Sequence, residues 1–559
     1  MKSRTGTYSF LIGMTLLLFM AGIVLSTSIL FLLGISVSAI SFWVAVAAAL
    51  ASLAGGIAAF VSTRRKAWFC SLLAGLAVVV GSSWYISAHT YDLSFDGQTY
   101  HQEAIFLLTD GWNPVHDQPL ASLNPKPVEK MDNKEILTAF HLWINHYAKG
   151  PWMLDSVMYK LTNQIEIGKI FNLLLIAASF FFSAAAMLTA IPEKNGRAVL
   201  VSLLAALNPV VVSQATSYYI DGQLGSLMLI ICALGYLLFK RYHWLILLTL
   251  CASLMLLAQI KFTALVYAVL LGCSLLVLFF FFDRQKNWKN LFGWLAASLL
   301  ISVVIVGYNP YITNTLSKGH PFYPLQGRGA VDIMTSNSPH DFKEIHSLHK
   351  LGISLLAKSE NIASPNETTL KWPFTVTLGE LKAFYAPDVR VAGFGPFFGG
   401  AILLTCLLLI LVLTSDRAKA KPLLLICGLL LLTVIINPES WWARYVPQLW
   451  FIPILIAIAG WEAKKKATRY ISRILVGILL ANMLLVGTAH TVGQFMINSY
   501  AKNQLQEIKD NGKTMLVDFH HFNAVRVRLQ EAGIPFVEQK IEDKSAKGIV
   551  ATRAVYLLK

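Results

Sequence analysis

The triplet Asp-Gly-Gln occurs in SFDGQTYH, Ser94 to His101, and again in YYIDGQLGS, Tyr218 to Ser226. Each copy stands at the edge of an apolar run. Two basic residues stand at similar edges: Lys261 in LMLLAQIKFTALVYAVLL and Arg444 in NPESWWARYVPQLW. These residue types suggest a chemistry. A carboxylate such as Asp96 or Asp221 can take a proton from a hydroxyl. Arginine grips phosphate oxygens in a bidentate fork, and lysine acts on them as a point charge. Neighbouring aromatic side chains can stack on a sugar face or pack against lipid. The wider set of candidates is Glu103, Tyr100, His101, Tyr219, His320, Tyr323, Glu439, Trp442 and Tyr445. Plainer readings stand beside these. Asp96 and Asp221 could cap helices, Lys261 could snorkel to headgroups, and Arg444 could anchor at the interface beside Trp441 and Trp442. His320 could serve a Pro-flanked turn. Asp92 and Asp110 read as solvated loop acids.

Such residues need elements to position them. The chain has 559 residues, of which 56% are hydrophobic and 14% charged, and its mean hydropathy is +0.59. A soluble surface cannot be built from so little charge, whereas lipid as solvent removes that limit. Thirteen apolar runs of membrane-crossing length are expected near 8–33, 37–61, 68–88, 168–191, 198–214, 222–239, 244–260, 262–282, 291–308, 394–414, 422–437, 446–463 and 471–489. The N-terminal run is long and lacks a clear cleavage motif, so it reads as a retained first helix. The six cysteines all lie in apolar runs, which argues against disulfides and a thiolate metal site.

The net charge of +16 calls for no nucleic acid. Basic clusters such as TRRK (63–66), KRYH (240–243) and EAKKKATR (462–469) fall at every second boundary. They share one side if the N-terminus is cytoplasmic. The other side then receives two long loops, 89–167 and 309–393, and a tail from 490. Long loops with structure of their own usually carry function. QTYHQEAIFLLTDGW and NKEILTAFHLWINHYAKG predict short amphipathic helices at the membrane surface. The tail predicts strands at KTMLVDF, IPFVEQK and RAVYLLK, with a helix at HHFNAVRVRLQEAG stopped by glycine. The expected fold is an all-α polytopic membrane protein of about thirteen spans with a small external α/β appendage. Its parts are an N-terminal hairpin (1–67), a membrane module (68–489) and the appendage (490–559). The chain has no P-loop, no GxGxxG opening a helix after a strand, and no HExxH.

SFDGQTYH after the third run, NPVVVSQATSYYIDGQLGS, QIKFTAL and SWWARYVPQLW together resemble the GT-C superfamily of multi-span glycosyltransferases. The topology and external C-terminal domain are similar to those of bacterial aminoarabinose transferases and oligosaccharyltransferases, and the likeness covers residues 68–489. The resemblance implies sugar transfer from a polyprenyl-phosphate donor to a glycan, lipid or protein hydroxyl at the external face of the inner membrane, in envelope modification. It implies Asp96 as base, inversion at the anomeric carbon, Asp221 with Glu103 positioning the acceptor, and Lys261 with Arg444 on the donor phosphate. It leaves open a divalent cation, Mg²⁺ or Mn²⁺, held by Asp96 and Asp221. The sequence departs from the family in three places. The acidic loop follows the third run rather than the first, SWWARY lacks the acid of a WWDYG-like motif, and Gly97 follows Asp96 where protein O-mannosyltransferases carry a DE pair.

Other readings share part of the pattern. An envelope polysaccharide polymerase, ligase or flippase would use basic external loops, partly met by Arg328, Arg390 and Arg444. A solute transporter would place polar or broken helices at the midplane, whereas here the polar groups gather at one face.

Overall fold

A computed structural model of the chain describes residues 3–117, 140–192, 194–415 and 417–559. Each of the thirteen expected runs carries helix. Among the described residues, eight helices are long and apolar enough to cross a membrane: Arg4–Leu32, Ile40–Phe60, Arg65–His89, Ile165–Ala190, Asp221–Lys240, Phe262–Phe282, Trp288–Val306 and Lys466–Asn511. Five shorter apolar helices coincide with the other expected runs. One of these runs, 198–214, is broken at Asn208–Pro209 into Asn195–Ala206 and Pro209–Gln214. Proline at the first helical position supplies no N–H to the preceding turn, and the Asn208 side chain caps the new start through Val210 N–H (3.0 Å). The chain is a membrane protein by these helices. Trp43, Val78, Phe281 and Leu300 are 63 to 68% exposed, an outward apolar surface that suits lipid rather than water.

The helix Arg4–Leu32 is the hub of the N-terminal half, packed between Ile40–Phe60 and Ile170–Ala190. Gly22 permits a close approach of the backbones, because a Cβ there would lie 3.0 Å from the Ala45 Cα. The first long loop runs from the end of Arg65–His89 to Gln164. A π-turn, Gly97–His101, leads into Gln102–Thr109, and Gly150–Thr162 follows. The expected surface helix at 133–150 lies outside the described residues up to position 139. Its described part forms Phe140–His146.

The last helix runs far beyond the expected 471–489, as Lys466–Asn511. Its final turns leave the apolar region and enter the core of the C-terminal unit, where Leu505 and Ile508 pack with Met515, Val517, Phe519, Leu529 and Tyr556. That unit is a four-stranded sheet. We number its strands β1 Met515–Asp518, β2 Phe536–Glu538, β3 Lys547–Gly548 and β4 Val555–Leu558, in the order β2-β1-β4-β3. β1 and β2 are parallel, joined through the helix Val525–Glu531, while β4 pairs antiparallel with β1 and β3. Gly533, at φ +69°, supplies the expected stop after that helix.

Candidate functional site

Four charged residues from distant parts of the chain meet at one place, and a fifth joins them. Asp96 enters from the loop after Arg65–His89. Just before it the Asp92 carboxylate folds back to accept the Ser94 N–H (2.9 Å) and the Gln102 amide (3.3 Å). This tight loop needs a glycine after Asp96, since a Cβ on Gly97 would fall 1.7 Å from Asp92 Oδ2. The Asp96 carboxylate caps no helix N–H, and is 21% exposed. It points at Arg444, with Oδ2 3.4 Å from Nη1.

Asp221 is the first residue of Asp221–Lys240, where the positive end of the helix favours a carboxylate. Gln214 holds the turn from both sides: its amide donates to Asp221 Oδ2 (3.4 Å) and its carbonyl accepts the Gly222 N–H (2.7 Å). Gln223, the glutamine of the second triplet, donates to Asn172 Oδ1 (2.6 Å) and ties the turn to Ile170–Ala190. Lys261 lies in the break between Trp244–Ala258 and Phe262–Phe282. Its ammonium is buried, ion-paired with Asp221 Oδ1 and 4.5 Å from the centre of the Tyr445 ring. It is an internal partner and not a snorkelling side chain.

Arg444 occupies the centre. It rises from the short turn Ala443–Tyr445 over the face of Trp442 (4.3 Å), with Tyr445 and Tyr219 at 5.1 and 5.2 Å. Its Nη1 is 3.4 Å from Asp96, 3.4 Å from Asp388 and 3.8 Å from Asp221. Its buried Nε meets no hydrogen-bond acceptor among the described residues. Asp388 was not among the sequence candidates. It belongs to APDVR in the second long loop, and its Oδ1 accepts the Trp442 indole N–H (2.7 Å). Its only signal was the neighbouring Arg390, whose guanidinium lies 5.3 Å from the centre of the Trp442 ring.

Three carboxylates thus surround two cations. Burial pushes the Asp96 carboxyl up from 3.8 to about 6, against the pull of Arg444 and with the help of Asp388 and Asp221. Burial also raises Asp388 and lowers Lys261, the latter opposed by Asp221. Burial disfavours the charge on Arg444, but the carboxylates of Asp388, Asp221 and Asp96 outweigh it and hold the guanidinium protonated. A carboxylate at about 6 beside a permanent cation is suited to accept a proton near neutral pH.

Tyr100 and Tyr219 face this charge cluster, and Tyr147, which the sequence reading missed, joins them. His101 lies behind Tyr100, 1% exposed, and burial lowers it to about 3. It is neutral, with Nδ1 accepting the Trp152 indole N–H (2.7 Å).

The remaining candidates point elsewhere. Glu103 is held by His141 Nε2 (3.3 Å) and the Asn523 amide (3.0 Å). Glu439 accepts the Trp441 indole N–H. His320 accepts the Phe322 N–H (3.1 Å) within its turn, the plainer of its readings. Tyr323 is 1% exposed, with His146 against its ring edge. Asp110 is exposed, as expected for a loop acid. Asp92 is not a solvated acid: it is fully buried, and burial raises its carboxyl.

A guanidinium between Asp96 and Asp221 disfavours a cation there. Among the described residues no three His, Cys, Asp or Glu side chains are grouped to hold a metal ion. The donor set does not fit the Mg²⁺ or Mn²⁺ alternative.

Along Asp221–Lys240, away from Asp221, lies an apolar cavity of about 560 Å³, lined by Leu229, Tyr236, Lys240, Leu275, Phe279 and Leu430 among others. No family model matches the chain, and no curated protein matches its sequence.

Proposed function

We propose that this protein is a membrane glycosyltransferase of the GT-C type, moving a sugar from a polyprenyl-phosphate donor to a hydroxyl acceptor of the cell envelope. The observation that carries this reading is the convergence of Asp96 on Arg444, Asp221, Lys261 and Asp388 beneath Trp442, Tyr445 and Tyr219. In the proposed reaction Asp96 takes the proton of the acceptor hydroxyl. The acceptor oxygen bonds to the anomeric carbon as the bond from that carbon to the phosphate oxygen breaks. The electron pair leaves on the polyprenyl phosphate, and the configuration inverts. Arg444, whose Nε meets no acceptor among the described residues, and Lys261 stabilise the phosphate charge. Asp221 and Asp388 hold these two cations, and the half-buried rings of Tyr445 and Tyr100 take the sugar face.

In this reading the thirteen helical runs all span the bilayer. The N-terminus is cytoplasmic, and the long loops, the site and the C-terminal unit are external. An envelope polymerase, ligase or flippase would share the basic, aromatic patch but would change chain length or lipid sidedness instead of adding one sugar. The test is mass spectrometry of envelope glycans and glycolipids from cells with the wild-type chain, without it, and with Asp96→Asn. Loss of one sugar in both altered strains is expected. Full retention of that sugar by Asp96→Asn would sink the mechanism.

A further inference from the structure

We propose that the C-terminal α/β unit is a positioning element for Asp96 and that Arg528 is the residue through which it acts. This rests on the role given to Asp96 above. The π-turn Gly97–His101 after Asp96 closes on an i→i+5 bond, Gln102 N–H to the Gly97 carbonyl, in place of the α-helical ladder, and further contacts hold its flanks. The C-terminal unit supplies them on both flanks. Arg528, 5% exposed on Val525–Glu531, donates through Nη1 to the Gln98 side-chain carbonyl (3.1 Å) and through Nη2 to the Asp92 backbone carbonyl (2.8 Å). It also lies 3.6 Å from Glu166 Oε1 and stacks on Tyr91 at 4.9 Å.

Gln98 is gripped twice more. Its amide donates to the Ala551 carbonyl (3.0 Å), and its backbone carbonyl accepts the Ala524 N–H (3.3 Å). On the other side of Asp96, Phe95 meets Phe522 edge-on at 5.5 Å. The glutamine of the first Asp-Gly-Gln is therefore a docking peg for the C-terminal unit. Among the described residues, the Asp96 carboxylate accepts a hydrogen bond from Arg444, which lies outside the C-terminal unit. The C-terminal unit acts on it through the backbone of residues 92–98, which makes Arg528 a positioning residue and not a catalytic one. A buried guanidinium is costly unless its partners are in place, so the unit is matched to one geometry of this loop.

The test uses the full chain in nanodiscs with Arg528→Gln, Arg528→Lys, Gln98→Ala and the double variant Arg528→Gln/Gln98→Ala. Arg526→Gln is the control, since Arg526 sits on the same helix but pairs outward with Glu538 (2.7 Å). Amide hydrogen exchange comes first because it needs no enzymatic activity. Arg528→Gln should speed exchange at residues 94–101 while leaving Asp221–Lys240 unchanged, and unchanged exchange at 94–101 overturns the proposal. Sugar transfer comes second, as a pH profile with kcat and KM separated. Arg528→Gln should lower kcat by roughly 10- to 100-fold, the scale of an ångström's misplacement. It should also move the acid limb of the profile and leave the donor KM within about twofold, with Arg528→Lys recovering part of the rate. The double variant should lose little more than Arg528→Gln alone. Multiplying losses, or a wild-type pH profile in a folded Arg528→Gln, overturn the proposal. If the wild-type chain transfers no sugar, the functional reading fails while the exchange result still decides the positioning claim.

Discussion

Arg444→Met offers the sharpest test of the charge cluster, because three carboxylates depend on one guanidinium. The substitution keeps a long side chain over Trp442 and removes the charge. At 3.4 Å from Asp96, the pair is worth at most about 5 kcal/mol at an effective dielectric of 20. Asp96 is 21% exposed, so solvent screens part of that. In the wild type, with Asp96 at about 6, roughly nine-tenths of the carboxylate is ionised at pH 7. Arg444 is the principal charge that lowers this value, while Asp388 and Asp221 raise it. Its removal therefore moves Asp96 upward from about 6 and protonates the base at neutral pH. In the proposed reaction the variant would also lose a donor to the leaving phosphate, a loss of about 10² to 10³ in kcat in comparable sites. The assay is sugar transfer in proteoliposomes from pH 5 to 9, with thermal melting of the same samples to show that the fold persists. The expected result is that large fall at pH 7, partly recovered at alkaline pH as the acid limb shifts upward. An acid limb that stays at about 6 or moves down would refute the reasoning that Arg444 sets the basicity of Asp96.

Two further outcomes follow from the same geometry. Gly97→Ala would place a methyl 1.7 Å from Asp92 Oδ2, so the Asp92–Gly97 loop must open. Transfer should fall at least tenfold while the apolar helices melt as in the wild type, and wild-type transfer would show that the loop geometry is irrelevant. Glu103→Gln should leave transfer within about threefold, because Glu103 bonds to His141 and Asn523 and not to the charge cluster. A hundredfold loss would restore Glu103 as a member of the reacting set.

What the sequence revealed followed the cost of placing each residue. Lipid demands long apolar runs, so the helices were legible, and the break in 198–214 came where Asn208 and Pro209 stand. A charge at the end of such a run is expensive, which made Asp96, Asp221, Lys261 and Arg444 visible from their surroundings alone. Asp388 carries no such mark, because an acid in a long polar loop costs nothing until the fold buries it against Trp442 and Arg444. Asp92 was misread for a related reason. Its buried carboxylate is held by the Ser94 N–H and the Gln102 amide and eased by Lys169 against the repulsion of Glu166, and its backbone carbonyl is bonded by Arg528, more than four hundred residues away in sequence. Local pattern reports local cost, and long-range pairing is invisible to it.

The helix Lys466–Asn511 has 46 residues and is roughly 70 Å long at 1.5 Å per residue. It runs unbroken from the apolar bundle into the sheet core, so it behaves as a shaft and not a tether. Each residue added to or removed from it would turn the sheet by about 100° and shift it by about 1.5 Å. A turn of that size swings Arg528 clear of Gln98, whereas a flexible linker would absorb it without effect. The length of this helix is thus a phase setting, and drift in its residue count is constrained even at positions whose side chains, such as Leu484, face outward.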